Sequence, residues 1–143
     1  TETINIMIER LKKYEFDKIT AIESRGFIFA SAISYILQKP FILLRKKNKL
    51  PAERYSVDFE LEYGTATIEM HKDSINKNEK VVIIDDLIAT GGTAIACAEL
   101  LCEHFSVPKG QILVLALIDL PALGGSRLIT RSGFEVASLT AYT

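Results

Sequence analysis

Residues 81–93 read Val81-Val82-Ile83-Ile84-Asp85-Asp86-Leu87-Ile88-Ala89-Thr90-Gly91-Gly92-Thr93. The opening run is continuous, apolar and β-branched, the pattern of a strand buried on both faces of a parallel sheet. Two adjacent carboxylates then end it. Side chains alternate along a strand, so Asp85 and Asp86 cannot both point into a core. Such a pair at a strand's carboxyl end is placed for a polar ligand. The five residues Ala89 to Thr93 follow, small or hydroxylic, and open onto a helix. Backbone N–H groups and hydroxyls at a helix N-terminus form an anion site, most naturally for phosphate. The segment is not a Walker loop, because no Lys follows its glycines, and it lacks the G-x-G-x-x-G of dinucleotide folds. A generic strand-to-helix turn with solvated acids is the competing reading.

Outward from this segment, strands and helices alternate. Ile4, Met7, Ile8 and Leu11 fall at helical spacing, so the chain opens on an amphipathic helix ending near Lys13. Lys18 to Ile22 reads as a short strand. Gly26 to Gln38 reads as a helix apolar on almost every side, stopped by Lys39-Pro40. Such a helix belongs in a core or a subunit interface. Phe41 to Leu44 is the next strand, and Arg45 to Ser56 is polar and basic and reads as a long loop. Val57, Phe59, Leu61 and Tyr63 alternate with acids, and Ala66, Ile68 and Met70 alternate after the turn at Gly64-Thr65, so these two strands can form a hairpin. The helix after the acid pair runs from about Thr93 to Phe105. Gln111 to Ile118 is a buried strand, Leu123 to Arg131 is loop-like, and Phe134 to Leu139 is a last strand. The order predicts an α/β fold with a mostly parallel sheet flanked by helices.

At 143 residues, with 48% hydrophobic content, the chain suits one domain with a sizeable core. A formal net charge of −1 argues against a general nucleic-acid binder. No apolar run is long and charge-free enough to span a membrane, and no secretory signal is evident, so the cytoplasm is the expected compartment. Cys97 and Cys102 lie five apart in one helix, face different sides and read as small hydrophobes. His71 and His104 have no metal-ligand spacing.

Two further stretches carry chemistry. Glu23-Ser24-Arg25-Gly26 sits where a strand meets a helix, and Gly26 permits a sharp turn or a close backbone approach. An Arg fork matches phosphate oxygens, and this reading of Arg25 is favoured over a helix-start Arg paired with a nearby acid. Arg45, Lys46, Lys47, Lys49 and Arg54 make a basic loop, which in isolation reads as a solvated charge run.

The segment 81–93 resembles the signature of the type I phosphoribosyltransferases, which bind phosphoribosyl diphosphate (PRPP). The finer resemblance is to the adenine-specific members. It rests on Glu23-Ser24-Arg25-Gly26-Phe27, on Arg45-Lys46-Lys47-Asn48-Lys49-Leu50-Pro51, on Leu61-Glu62-Tyr63-Gly64 with Glu69 through Asp73, and on Leu87-Ile88-Ala89-Thr90-Gly91-Gly92-Thr93. These stretches occur in the family's order and span essentially the whole chain.

The resemblance implies the type I fold with a flexible loop and strand-pair lid, and transfer of the phosphoribosyl group to adenine, giving AMP and pyrophosphate in purine salvage. It implies that Ala89, Thr90, Gly91, Gly92 and Thr93 hold the 5′-phosphate and that Asp85 and Asp86 hold the ribose. It places Ser24, Arg25, Arg45, Lys46, Lys49 and Tyr63 at the pyrophosphate and lid. Arg25 and Glu62 would be catalytic, Glu62 as general acid/base at the adenine ring; without the resemblance Glu62 reads as one more solvated strand acid. Mg²⁺ is the implied cofactor, carried by PRPP and water, with Asp85 and Asp86 near it and no direct protein cage. The implied assembly is a homodimer, with no nucleic-acid or membrane partner.

The chain departs from the family at three places. Ala52 stands where Gly is usual. Asp119 stands where the acid is usually Glu. The chain begins at Thr1, after the family's N-terminal base-binding hood, so a single domain over 1–143 lacking that segment is expected. A phosphoribosyltransferase for xanthine or hypoxanthine, and a non-catalytic PRPP sensor, are the alternatives. A sensor needs the acids and phosphate loop but neither Glu62 nor a basic lid.

Overall fold

The computed structural model describes residues 2–22, 25–46, 54–61 and 64–141, with residues 22, 25, 45, 46, 54–61, 64–69 and 71 described by their backbone. In chain order the elements are α1 (Glu2–Leu11), β1 (Lys18–Ile22), α2 (Arg25–Leu37), β2 (Phe41–Lys46), β3 (Arg54–Leu61), β4 (Gly64–His71), β5 (Val81–Ile88), α3 (Gly92–Phe105), β6 (Ile112–Asp119), α4 (Gly125–Arg131) and β7 (Glu135–Ala141). The sheet runs β3-β4-β2-β1-β5-β6-β7. The five strands from β2 to β7 are parallel, and β4 and β3 continue the β2 edge antiparallel.

The apolar run at 81–84 is buried on both faces, as its composition dictates. Val81 and Ile83 join the cluster under α3 and α4, with Leu100, Leu101, Val114 and Ile129. Val82 and Ile84 join the cluster under α1 and α2, with Leu11, Ile19, Ile33 and Leu115. The strand then carries Asp85 and Asp86, both half-buried, before Ile88 returns to the first cluster. The period of α1 is realised in the same way: Met7, Ile8 and Leu11 are buried.

Thr20 is fully buried in the central strand, and its Oγ1 donates to Ile42 O at 2.8 Å, so the hydroxyl is satisfied across the β1–β2 seam. The charged connector before β5 is tied to β1 from below. Lys18 Nζ lies 2.9 Å from a Glu79 carboxylate oxygen and donates to Ser74 O, while Lys80 N–H donates to Asp17. These contacts set the register in which Lys18 faces Val81.

Three expectations change. Arg45 to Ser56 is not one loop: Arg45 and Lys46 belong to β2, where they pair with Glu69 and Ile68, and residues 54–56 begin β3. Backbone pairing at a sheet edge accepts polar side chains, so polarity there did not mean loop. Leu123 to Arg131 is not loop-like beyond Gly124, because α4 begins at Gly125. Gly64 and Thr65 do not turn the chain, because both belong to β4 and pair with Leu61 and Glu60 in the antiparallel ladder. On α2, Ile28, Tyr35 and Ile36 are exposed in this chain, which agrees with the interface alternative for that helix.

Candidate active site

Parallel strands deliver their carboxyl ends to one edge of the sheet. Here that edge receives Ile22, Lys46, Ile88, Asp119 and Ala141. Asp85 and Asp86 lie in the last turnings of β5 and are both half-buried. Asp86 N–H donates to Asp85 Oδ1 at 2.8 Å, which turns the Asp85 carboxylate along the strand. Asp85 lies on the α3 side, where its charge reaches Cys97. Burial first, and the Asp85 carboxylate second, push the Cys97 thiol well above its ordinary value. Cys97 is therefore a neutral thiol beneath the acid pair and no nucleophile. Cys102 is half-buried and also shifted up, mainly by burial.

The chain leaves β5 at Ile88 and turns into α3 through Ala89, Thr90 and Gly91. Gly91 is left-handed at φ +86°, which a side chain would resist. No side chain caps α3, and its first intrahelical bond runs from Ile95 N–H to Gly91 O at 3.0 Å. The amides of Gly92, Thr93 and Ala94 therefore precede the first intrahelical donor, at the positive end of a 14-residue helix. That arrangement suits a phosphate dianion.

Helix α2 starts against the same spot. A Cβ on Gly26 would sit 2.7 Å from Ile84 O and 3.6 Å from Asp85 Cα. The backbone of Arg25, the first residue of α2, is thereby brought beside the acid pair. The structure thus assembles Asp85, Asp86, Ala89 to Thr93 and the start of α2. Arg45 and Lys46 lie at the carboxyl end of β2 on the same edge. Ser24, Lys49, Glu62 and Tyr63, assigned by resemblance, lie outside the described residues.

Two features at this edge have a role that sequence alone did not show. Asp119 is buried, and its Oδ1 has no hydrogen-bond partner among the described residues. Gly125, at the start of α4, donates its N–H to Ala89 O at 3.1 Å. The Gly124-Gly125 pair was visible only as a turn, because its partner lies one strand and one helix earlier. Among the described residues no group of three or more His, Cys, Asp and Glu side chains could hold a metal ion. Two adjacent acids fit an ion carried mainly by its ligand. No helix among the described residues is long and apolar enough to cross a membrane.

Comparison with known proteins bears on this edge. The family model described as "Phosphoribosyl transferase domain" matches residues 2–114. The chain is 63% identical over 138 residues to an adenine phosphoribosyltransferase of Pelagibacter ubique, covering 96% of this chain and 77% of that protein. Among solved structures, the adenine phosphoribosyltransferase of Thermoanaerobacter pseudethanolicus superposes with a TM-score of 0.89 at 38% identity, covering 99% of this chain and 79% of that one. The Giardia lamblia enzyme, complexed with 9-deazaadenine, gives a TM-score of 0.91 at 31% identity and covers 99% and 78%.

Proposed function

This chain belongs to the phosphoribosyltransferase family, to its adenine-specific members, and we propose that it makes AMP and pyrophosphate from adenine and PRPP at the carboxyl edge of its sheet. The observation that carries this reading is the junction at 85–93, an acid pair continuous with an uncapped helix N-terminus. The relatives' names, at up to 63% identity, support adenine as the base and purine salvage as the role.

Each residue's part follows from its chemistry. The amides and hydroxyls of Ala89 to Thr93 hold the 5′-phosphate. Asp85 and Asp86 accept hydrogen bonds from the two ribose hydroxyls, which fixes the sugar ring over the end of β5. Ser24, Arg25 and the basic residues Arg45, Lys46 and Lys49 face the pyrophosphate, where positive charge stabilises the leaving group as the C1–O bond breaks. The ring nitrogen of adenine forms the new bond to C1 and gives up its proton. Glu62 manages proton movement at the base, and Tyr63 helps exclude the water that would otherwise capture a cation-like ribose. Asp85 and Asp86 are placed to reach a divalent ion through water. When bound, Mg²⁺ supplies neutralisation of pyrophosphate charge, consistent with its preference for oxygen ligands and retained waters.

A homodimer completes the reading. Ile28, Tyr35 and Ile36 share the exposed side of α2, with Tyr35 86% exposed. A face of that kind at the helix that opens on the site fits a second copy of this chain. The proposed compartment is the cytoplasm, and the proposed unit is one phosphoribosyltransferase domain.

The test is pyrophosphate release from PRPP and Mg²⁺ with adenine, hypoxanthine, guanine and xanthine in parallel. Release with adenine alone is expected. Release with another base alone would reassign the substrate, and PRPP binding without release for any base would make the protein a sensor.

A further inference from the structure

We propose that Gly125 is a positioning residue for PRPP: by packing bare backbone against residues 89–91, it holds the phosphate loop in its binding shape. The inference rests on reading 89–93 as the 5′-phosphate site and adds a residue from a different element.

The contact is backbone on backbone from both sides. A Cβ built on Gly125 would lie 2.7 Å from Gly91 N and 2.8 Å from the Thr90 carbonyl carbon, and closer still to Ala89 O. A Cβ built on Gly91 would lie 2.8 Å from Gly125 O and 3.0 Å from Gly125 Cα. None of these atoms belongs to a flexible side chain, so none can swing aside. Gly125 is itself buried and is fastened in place. Its N–H donates to Ala89 O, and one strand end earlier Leu120 N–H donates to Ile88 O at 3.0 Å. Between these two bonds the chain makes a single helical turn at Pro121–Leu123, then a left-handed Gly124 at φ +80°. The segment 120–125 is thus a short arch standing on β5 at one foot and on the phosphate loop at the other.

The consequence is directional. The loop must present the amides of 91–93 toward a ligand. Any side chain at 125 meets Ala89, Thr90 and Gly91 together and displaces the loop from this shape. Gly125 touches no ligand in this scheme; it makes room for a loop whose amides do. The loss on adding a methyl should therefore be selective. Ligands that use the phosphate loop lose affinity, while a ligand on the 24–25 side of the site does not.

The experiment compares wild type, Gly125→Ala and the remote control Gly110→Ala, where an added Cβ meets nothing within 4 Å. Dissociation constants for ribose 5-phosphate and for Mg²⁺-pyrophosphate are measured by calorimetry. Gly125→Ala is expected to raise the ribose 5-phosphate constant at least about tenfold, a change of about 1.4 kcal/mol. Its pyrophosphate constant, and both constants of Gly110→Ala, are expected to stay within about twofold, well inside that step. A Gly125→Ala protein that binds ribose 5-phosphate as wild type does, or that loses both ligands alike, overturns the proposal.

Hydrogen exchange on the wild type supplies a readout that does not depend on the variant folding. Ribose 5-phosphate should slow exchange at the Gly125 amide together with the amides of 91–93. Slowing at 91–93 with no change at Gly125 overturns the coupling. A wild-type protein that does not bind ribose 5-phosphate at all refutes the phosphate-loop reading itself, and the role of Gly125 falls with it.

Discussion

Replacing Gly26 by Ala inserts one methyl group where α2 meets β5, and its cost can be worked from the contacts. The new carbon would lie 2.7 Å from Ile84 O and 3.2 Å from Ala21 Cβ. Close carbon-to-oxygen contacts in proteins fall at about 3.3–3.6 Å, so the helix must retreat by roughly 0.6 Å or more. Ile84 lies in β5, an interior strand with β1 paired on one side and β6 on the other, so the strand cannot yield instead. Overpacking of this kind costs about 1–3 kcal/mol. A better helix former returns about 0.5 kcal/mol at Gly26 in the first turn of α2, which leaves roughly 0.5–2.5 kcal/mol of net destabilisation. At about 2.1 cal/mol/K per residue, the 143 residues unfold with an entropy near 0.3 kcal/mol/K, so Tm should fall by about 2–8 °C. Scanning calorimetry reads this directly. Asp85 Cα is the next nearest atom, at 3.6 Å, so the PRPP dissociation constant should rise in the same variant. A Tm equal to or above wild type would show that the α2–β5 approach is not tight, and the placement of Arg25 beside the acids would lose its basis.

Three other outcomes are expected. Tyr35→Glu should dissociate the proposed dimer: an interface hot spot is worth about 2 kcal/mol and a two-fold axis counts it twice, so sedimentation should show a dimer constant weakened by about a thousandfold, and an unchanged constant would remove α2 from the proposed interface. Glu62→Gln should lower kcat by about a hundredfold or more while leaving PRPP affinity intact, the range of a lost general acid/base, and equal turnover would exclude Glu62 from the chemistry. The raised Cys97 pKa means that the folded state keeps its proton longer than the unfolded state does. The corresponding stability is fully present below the ordinary thiol value of 9.0 and is lost as pH rises from there toward the folded value. Urea midpoints should therefore fall more steeply above pH 9.0 for wild type than for Cys97→Ala, and parallel slopes would contradict the burial of that thiol.

Features that one strand or helix decides by itself were open to sequence reading. The run at 81–84 needed only its own composition to declare two buried faces, whereas the strand's continuation through the acids to Ile88 depends on pairing with β6 and was not legible. The hairpin was legible from the two alternating runs, but its turn was misplaced, since Gly64 and Thr65 pair with Leu61 and Glu60 inside β4. Features that depend on a distant partner were closed to it. Arg45 and Lys46 looked like loop because their strand character comes from pairing with Glu69 and Ile68. Helix α4 has seven residues, mostly polar or small, and its stability comes from Ile129 seated in the core, not from any pattern long enough to see. The same holds within the site. Asp85 and the phosphate loop are contiguous and could be read together, whereas Gly125 and Cys97 join them only by packing.

The pairing of β1 with β5 has a bearing on how the protein reaches its working state. Asp17 and Lys80, bonded at the foot of that pair, stand 63 residues apart in the chain. Closing so long a separation is slow relative to forming helices or the local β3–β4 hairpin. The acids on β5 and the start of α2 become neighbours only when this seam closes, so neither half holds the complete site. Recovery of ligand binding during refolding thus times the closure of one seam, and a chain stalled before it can be largely helical yet chemically silent.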